Sequence, residues 1–95
     1  MAKRLEWSKR AQTDRLRITE FYAQEASPTI ALEARQAIGK AAMAVTANPL
    51  HYRQGKKQGT REYVMRRFPY TLIYRVTAGK VTIVRVLHQA MRYFN

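Results

Sequence analysis

His88, Glu62, Arg61, Arg85, Arg92 and Tyr93 are the side chains in this chain whose types could carry out chemistry together. Cleaving RNA through its 2′-hydroxyl needs a base for the hydroxyl proton, an acid for the departing 5′-oxygen, and cations for the charge gathering on phosphorus. Histidine, glutamate, tyrosine and arginine can fill those roles. Each candidate also has a structural role to set beside the chemical one. His88 falls at the end of an expected strand, where a backbone hydrogen bond would employ it. Glu62 is the only acid after residue 50 and suits an ion pair with an arginine of a neighbouring strand. Other reaction centres find no spacing here. His51 and His88 stand 37 positions apart with no cysteine, which makes no metal site. Glycine-rich phosphate loops, a Ser–His–Asp order and paired acids are absent. No metal and no cofactor is expected.

Charge narrows the partners. Eighteen basic and six acidic residues give a net charge of +12 in a chain of 95 residues. Residues 1–50 carry eight basic and five acidic groups, while residues 51–95 carry ten basic groups and one acid. The second half therefore produces most of the field. Nucleic acid, an anionic membrane surface or an acidic protein would answer it. Self-repulsion of this size opposes compaction, so an acidic partner would also stabilise the chain. The length suits a single domain over residues 1–95. The longest apolar run, Ala41 to Val45, is far short of the ~18 residues of a membrane span, and residues 1–7 contain no apolar stretch. No membrane association is expected, and with no cysteine a cytoplasmic location fits.

The elements that must position these residues follow from periodicity. Arg4-Leu5-Glu6-Trp7 alternates as a short strand. Ser8 caps a helix from Lys9 to about Ala26, with Ala11, Ile18, Phe21 and Tyr22 on one side and Leu16 off the stripe. Ser27-Pro28 starts a second helix that runs to about Thr46, with Ala31, Ala34, Ile38, Ala41, Ala42 and Val45 as its apolar stripe. Asn48-Pro49 ends it. After a polar loop the period changes to two. Strands are expected over Arg61–Arg67, Tyr70–Val76 and Val81–His88, with turns at Phe68-Pro69 and Thr77–Lys80. Strict alternation in the last strand puts Val81, Ile83 and Arg85 on one face and Thr82, Val84 and Val86 on the other. The expected fold is α+β: an N-terminal strand and a two-helix antiparallel hairpin packed on an antiparallel sheet of about four strands.

Arg61, Arg66, Arg67, Arg75, Arg85 and Arg92, with His88, lie in or beside those strands. Alternation sends Arg61 and Arg67 to one face and Arg66 to the other. Together they read as a cationic surface for a target or partner, or as a solvated sheet face. Tyr52, Tyr63, Tyr70, Tyr74 and Tyr93 suit base stacking or, more simply, sheet packing.

Three blocks in this order and spacing resemble the ParE branch of the RelE/ParE toxin superfamily: Gly59-Thr60-Arg61-Glu62-Tyr63-Val64, Tyr70-Thr71-Leu72-Ile73-Tyr74-Arg75-Val76 and Val84-Arg85-Val86-Leu87-His88. Asp14, Ile18 and Tyr22 resemble that family's first helix, and Asn48-Pro49 its helix-to-sheet junction. Arg15 stands where the family usually has an apolar residue. The resemblance implies the RelE-like fold and a toxin of a type II toxin–antitoxin system. Such toxins block DNA gyrase by protein contact and are neutralised by an acidic antitoxin in a hetero-oligomer. The resemblance also implies an alternative, a ribosome-dependent mRNA endoribonuclease acting through Glu62, Arg85, His88 and Tyr93. Against it, Thr71 stands where the RelE-like nucleases carry an arginine, and His88-Gln89 replaces their basic pair. The gyrase reading expects no catalytic residue, with Arg61, Arg66, Arg67, Arg75, Arg85, His88 and Arg92 contacting target or antitoxin.

Overall fold

The computed structural model describes residues 3–90. The element order is β1 (Arg4–Trp7), α1 (Lys9–Glu25), α2 (Pro28–Ala47), β2 (Arg61–Val64), β3 (Tyr70–Thr77) and β4 (Lys80–His88). The strands form one sheet in the order β1-β4-β3-β2. The last three pair antiparallel as expected, while β1 lies parallel to β4 with Leu5 beside Val81 and Trp7 beside Ile83. The sheet is therefore mixed. The helix hairpin carries the chain back across one face, and β1 closes the free edge of the last strand.

Both helices start on serine caps. Ser8 Oγ accepts the Ala11 N–H at 3.0 Å and Ser27 Oγ accepts the Ile30 N–H at 3.1 Å. Each satisfies a donor that the first helical turn leaves unpaired. The small residues of α2, Ala31, Ala34, Ala41 and Ala42, are buried and bring the hairpin close to the sheet. The core joins Ala11, Ile18, Ile38 and Val45 to Leu72, Tyr74, Val81, Ile83 and Val86. Buried Tyr74 donates its hydroxyl to the Pro49 carbonyl at 2.6 Å, which anchors the end of α2 to the sheet.

Three expectations need correction. Phe21 is not in the core: it is 52% exposed, and its neighbour Tyr22 takes the inward position. The strand begun at Arg61 stops at Val64 rather than Arg67, because the chain turns through residues 66–69 and the Met65 N–H bonds the Tyr70 carbonyl. Arg66 and Arg67 therefore have no place in the strand alternation. Strict alternation also fails in β4. Ile73 pairs with Arg85 but Tyr74 pairs with Ile83, so Val84 is an extra residue that bulges. Past the bulge Val86 joins Val81 and Ile83 on the core face, and Arg85 moves to the other face.

Candidate functional site

The helices cover one sheet face. The other displays the alternate residues, and its register sets Glu62, Ile73 and Arg85 in one row and Val64, Thr71 and Leu87 in the next. Ile73 and Leu87 form an almost fully buried floor. A hairpin leading into β2 overhangs them. Its strands are held by Gly55 N–H to the Thr60 carbonyl at 2.8 Å and by Glu62 N–H to the Arg53 carbonyl at 3.0 Å. Gly59 adopts a left-handed φ of +80°, and Arg75 lies so close that an added Cβ would come within 2.8 Å of its guanidinium. Arg75 donates to the Gln58 carbonyl at 3.3 Å, so the arginine and the hairpin tip fix each other.

Two hollows open on this face and share Ile73. Arg53, Lys56, Glu62, Thr71, Leu87, His88 and Gln89 line one. Ser8, Lys9, Arg10, Lys57, Thr60, Arg75, Val84 and Arg85 line the other. Together they make a trough with an apolar floor and a cationic rim. No group of three His, Cys, Asp or Glu residues suited to a metal occurs among the described residues.

Ion pairs hold Arg85 and Glu62 of this face in fixed positions. Asp14 of α1 binds Arg85 through both oxygens, at 2.8 and 3.0 Å, and also accepts the Val86 N–H at 2.9 Å. Hydrogen bonding to Asp14 outweighs burial and raises the Arg85 pKa above its ordinary value. The same contacts explain the bulge. The Ser8 N–H bonds the Ile83 carbonyl, Ser8 Oγ donates to the Val84 carbonyl at 2.8 Å, and Asp14 takes the next free N–H. The first turns of α1 thus finish the edge that β1 leaves open. Glu62 accepts from Arg53 Nε at 2.8 Å. His88 is exposed at the end of β4, where its Nδ1 accepts the Ala90 N–H at 3.0 Å and its ring meets Tyr70 edge-on.

Of the residues singled out from sequence, Glu62, Arg75 and Arg85 come together on this trough, and His88 borders its end while its ring meets Tyr70 on the helix-covered side. Arg61 lies on the opposite face, where it donates to the Tyr52 carbonyl at 2.7 Å. Arg67 pairs with Glu33 of α2 and lies over the Phe68 ring. Arg66 is exposed on the loop after β2. Arg92 and Tyr93 lie outside the described residues. Tyr70 and Tyr74 are buried, and burial pushes each phenol up to about 12. Gln89 donates to the Met65 and Tyr70 carbonyls and so closes the loop beneath the trough.

Sequence reasoning missed Lys9, Arg10, Arg53, Lys56 and Lys57, and it marked Asp14 by resemblance without its contact to Arg85. The first two could have been found from Ser8, since a cap fixes which residues lead the helix. Lys56 and Lys57 could have been found from the glycines on either side of them. The Asp14 contact carried no such local signal.

The family model for the ParE toxin of the type II toxin–antitoxin system parDE matches residues 5–93. Among solved structures, the chain is similar to one from the chromosomal ParDE TA system of P. aeruginosa. That match has 26% identity and a TM-score of 0.84, and covers 92% of this chain and 96% of the other. A chain of the RelBE2 toxin–antitoxin complex of Mycobacterium tuberculosis matches at 22% identity and TM-score 0.62, over 93% of this chain and 99% of that one. A chain of the E. coli DinJ-YafQ toxin–antitoxin complex matches at 16% identity and TM-score 0.59, over 95% and 96%. At those lower identities the likeness is one of fold. No curated protein matches the chain.

Proposed function

The chain belongs to the ParE toxin family of type II toxin–antitoxin systems, and from that premise we propose that it arrests growth by binding DNA gyrase through the cationic trough of its sheet. The observation that carries this reading is how the charged groups of the trough are engaged. Arg85 is locked to Asp14 and Glu62 to Arg53. A base must shed and regain a proton, and a phosphate-binding arginine must turn to its substrate. Groups held in ion pairs suit a fixed recognition surface better. The exposed rim cations Lys9, Arg10 and Lys57 would steer the toxin to an acidic target and set the rate of encounter. An acidic antitoxin would neutralise the toxin in a cytoplasmic hetero-oligomer and relieve the charge of +12.

One observation favours the second reading, a ribosome-dependent mRNA endoribonuclease. Glu62 and His88 line the same hollow. The test places the purified protein with gyrase, relaxed plasmid and ATP, and in parallel with translating ribosomes and a defined mRNA. Loss of supercoiling with intact mRNA supports gyrase inhibition. Cut mRNA with normal supercoiling overturns it and makes Glu62, Arg85 and His88 the residues to replace.

A further inference from the structure

Three hollows beside α1 join into a track. The hollow of the trough that runs from Ser8 to Arg75 shares Lys9, Arg10 and Arg85 with a second, along the first turns of α1. The second shares Asp14, Arg17 and Arg85 with a third, which ends at Phe21, Tyr70 and His88. Glu62 lines none of the three.

Charge along this track is one-sided. Lys57 and Arg75 stand at its start, Lys9 and Arg10 at its middle, and Arg17 beyond them. Lys9, Arg10, Arg17 and Lys57 are exposed, and none of the four joins an ion pair with a described residue. Asp14 is the one acid lining the track among the described residues, and Arg85 holds both of its oxygens. The four exposed cations therefore face no anion of this chain.

Spacing gives the track a direction. Arg10, Asp14, Arg17 and Phe21 recur at helical spacing along one side of α1. At a rise of about 1.5 Å per residue, Arg10 and Phe21 lie about 16 Å apart along the helix axis, too far for one small anion to reach both. Phe21 ends this row half-exposed, with the Tyr22 ring set at right angles to it. Cations thus lead up to an aromatic ring that the chain itself leaves uncovered.

We propose that this track binds a single strand of nucleic acid, with phosphates along Lys57, Lys9, Arg10 and Arg17 and a base stacked on Phe21. A basic groove beside an aromatic ring suits such a strand, because every nucleotide carries both a phosphate and a flat base. In a duplex the bases already stack on one another and do not reach the ring. An acidic peptide answers the cations but does not bring a flat group at each step. The inference goes beyond the gyrase reading and does not depend on it.

Fluorescence anisotropy would test this with the purified chain and short labelled oligothymidylate, oligouridylate, a DNA duplex and polyglutamate, at about 0.1 M salt. The variants are Arg10→Glu/Arg17→Glu, Phe21→Ala, and the control Arg35→Glu/Lys40→Glu. The control removes the same charge from exposed positions of α2 that line none of the three hollows. Thermal melting should show each variant folded. The Arg10/Arg17 variant should bind single strands at least about tenfold more weakly than the control does. Phe21→Ala keeps the net charge and should lose about fivefold or more on single strands, with no change on the duplex. Tighter binding of the DNA or of the RNA strand names the source of the ligand and upholds the track. Equal losses in the control and the Arg10/Arg17 variant would reduce the binding to net charge and overturn the proposal. So would a preference for duplex or polyglutamate, an unchanged affinity in Phe21→Ala, or no binding of single strands by the wild type. Gyrase is absent throughout, so any of these failures leaves the gyrase reading to its own assay.

Discussion

The two faces of the sheet are built from the same strands and do opposite things. Toward the helices, Leu72 pairs with Val86, Tyr74 with Ile83 and Val76 with Val81, and these pairs pack against α1 and α2. Toward solvent, Ile73 sits between Glu62 and Arg85, and Arg75 stands beside Thr82. A period of two lets each strand bury one set of positions against the helices and present the next set to the open face. Positions on the first face should govern melting and leave interaction chemistry alone. Positions on the second should do the reverse.

Leu72→Ala should break the first face most severely. It empties a fully buried site and should cost about 3–4 kcal/mol in chemical denaturation. A loss below about 1 kcal/mol would mean the core is not where the pairing puts it. Asp14→Ala tests the one residue that serves both faces. It removes the partner of Arg85 and of the Val86 N–H at once. With Asp14 only 11% and Arg85 22% exposed, the cost should be about 2–3 kcal/mol. Unchanged stability would deny that Asp14 holds the strand edge.

A smaller effect comes from the phenols on the helix-covered face. Tyr70 and Tyr74 titrate near 12 in the folded protein, above their ordinary value of 10.0. A raised folded pKa contributes stability that is complete below the unfolded value and is lost as pH rises through the folded one. Stability should therefore fall between pH 10 and 12 as these groups ionise. Ultraviolet absorbance should show two tyrosines ionising later than the rest, and a single titration near pH 10 would contradict their burial. The smallest change in stability belongs to the open face. Arg10→Glu and Lys57→Glu are exposed and should shift stability by no more than about 0.5 kcal/mol.

How much of this was legible in the sequence depends on how local each cause is. Ser8, Ser27-Pro28 and Asn48-Pro49 announce the helix ends because a cap acts within a few residues. The length of β2 was misread since Met65 and Phe68 are apolar and buried, as strand residues would be, although the chain there turns. The bulge at Val84 was invisible because its causes, Ser8 and Asp14, lie more than 70 positions away along the chain. That one residue sends Arg85 to the open face, so half the logic of the trough was hidden with it. Phe21 and Tyr22 both suited the helix stripe, and only the packing of Tyr22 against Phe68 and Tyr70 decides which turns inward.

The most direct test of the gyrase reading is a supercoiling assay run with the wild type, with the double variant Arg10→Glu/Lys57→Glu, and with Arg35→Glu from the opposite surface. The account predicts that the wild type and Arg35→Glu block supercoiling. The open-face variant should fold normally and block it at least about tenfold less well, because reversing rim charges slows encounter and weakens the contact. Equal inhibition by all three proteins, or none by the wild type, would contradict it.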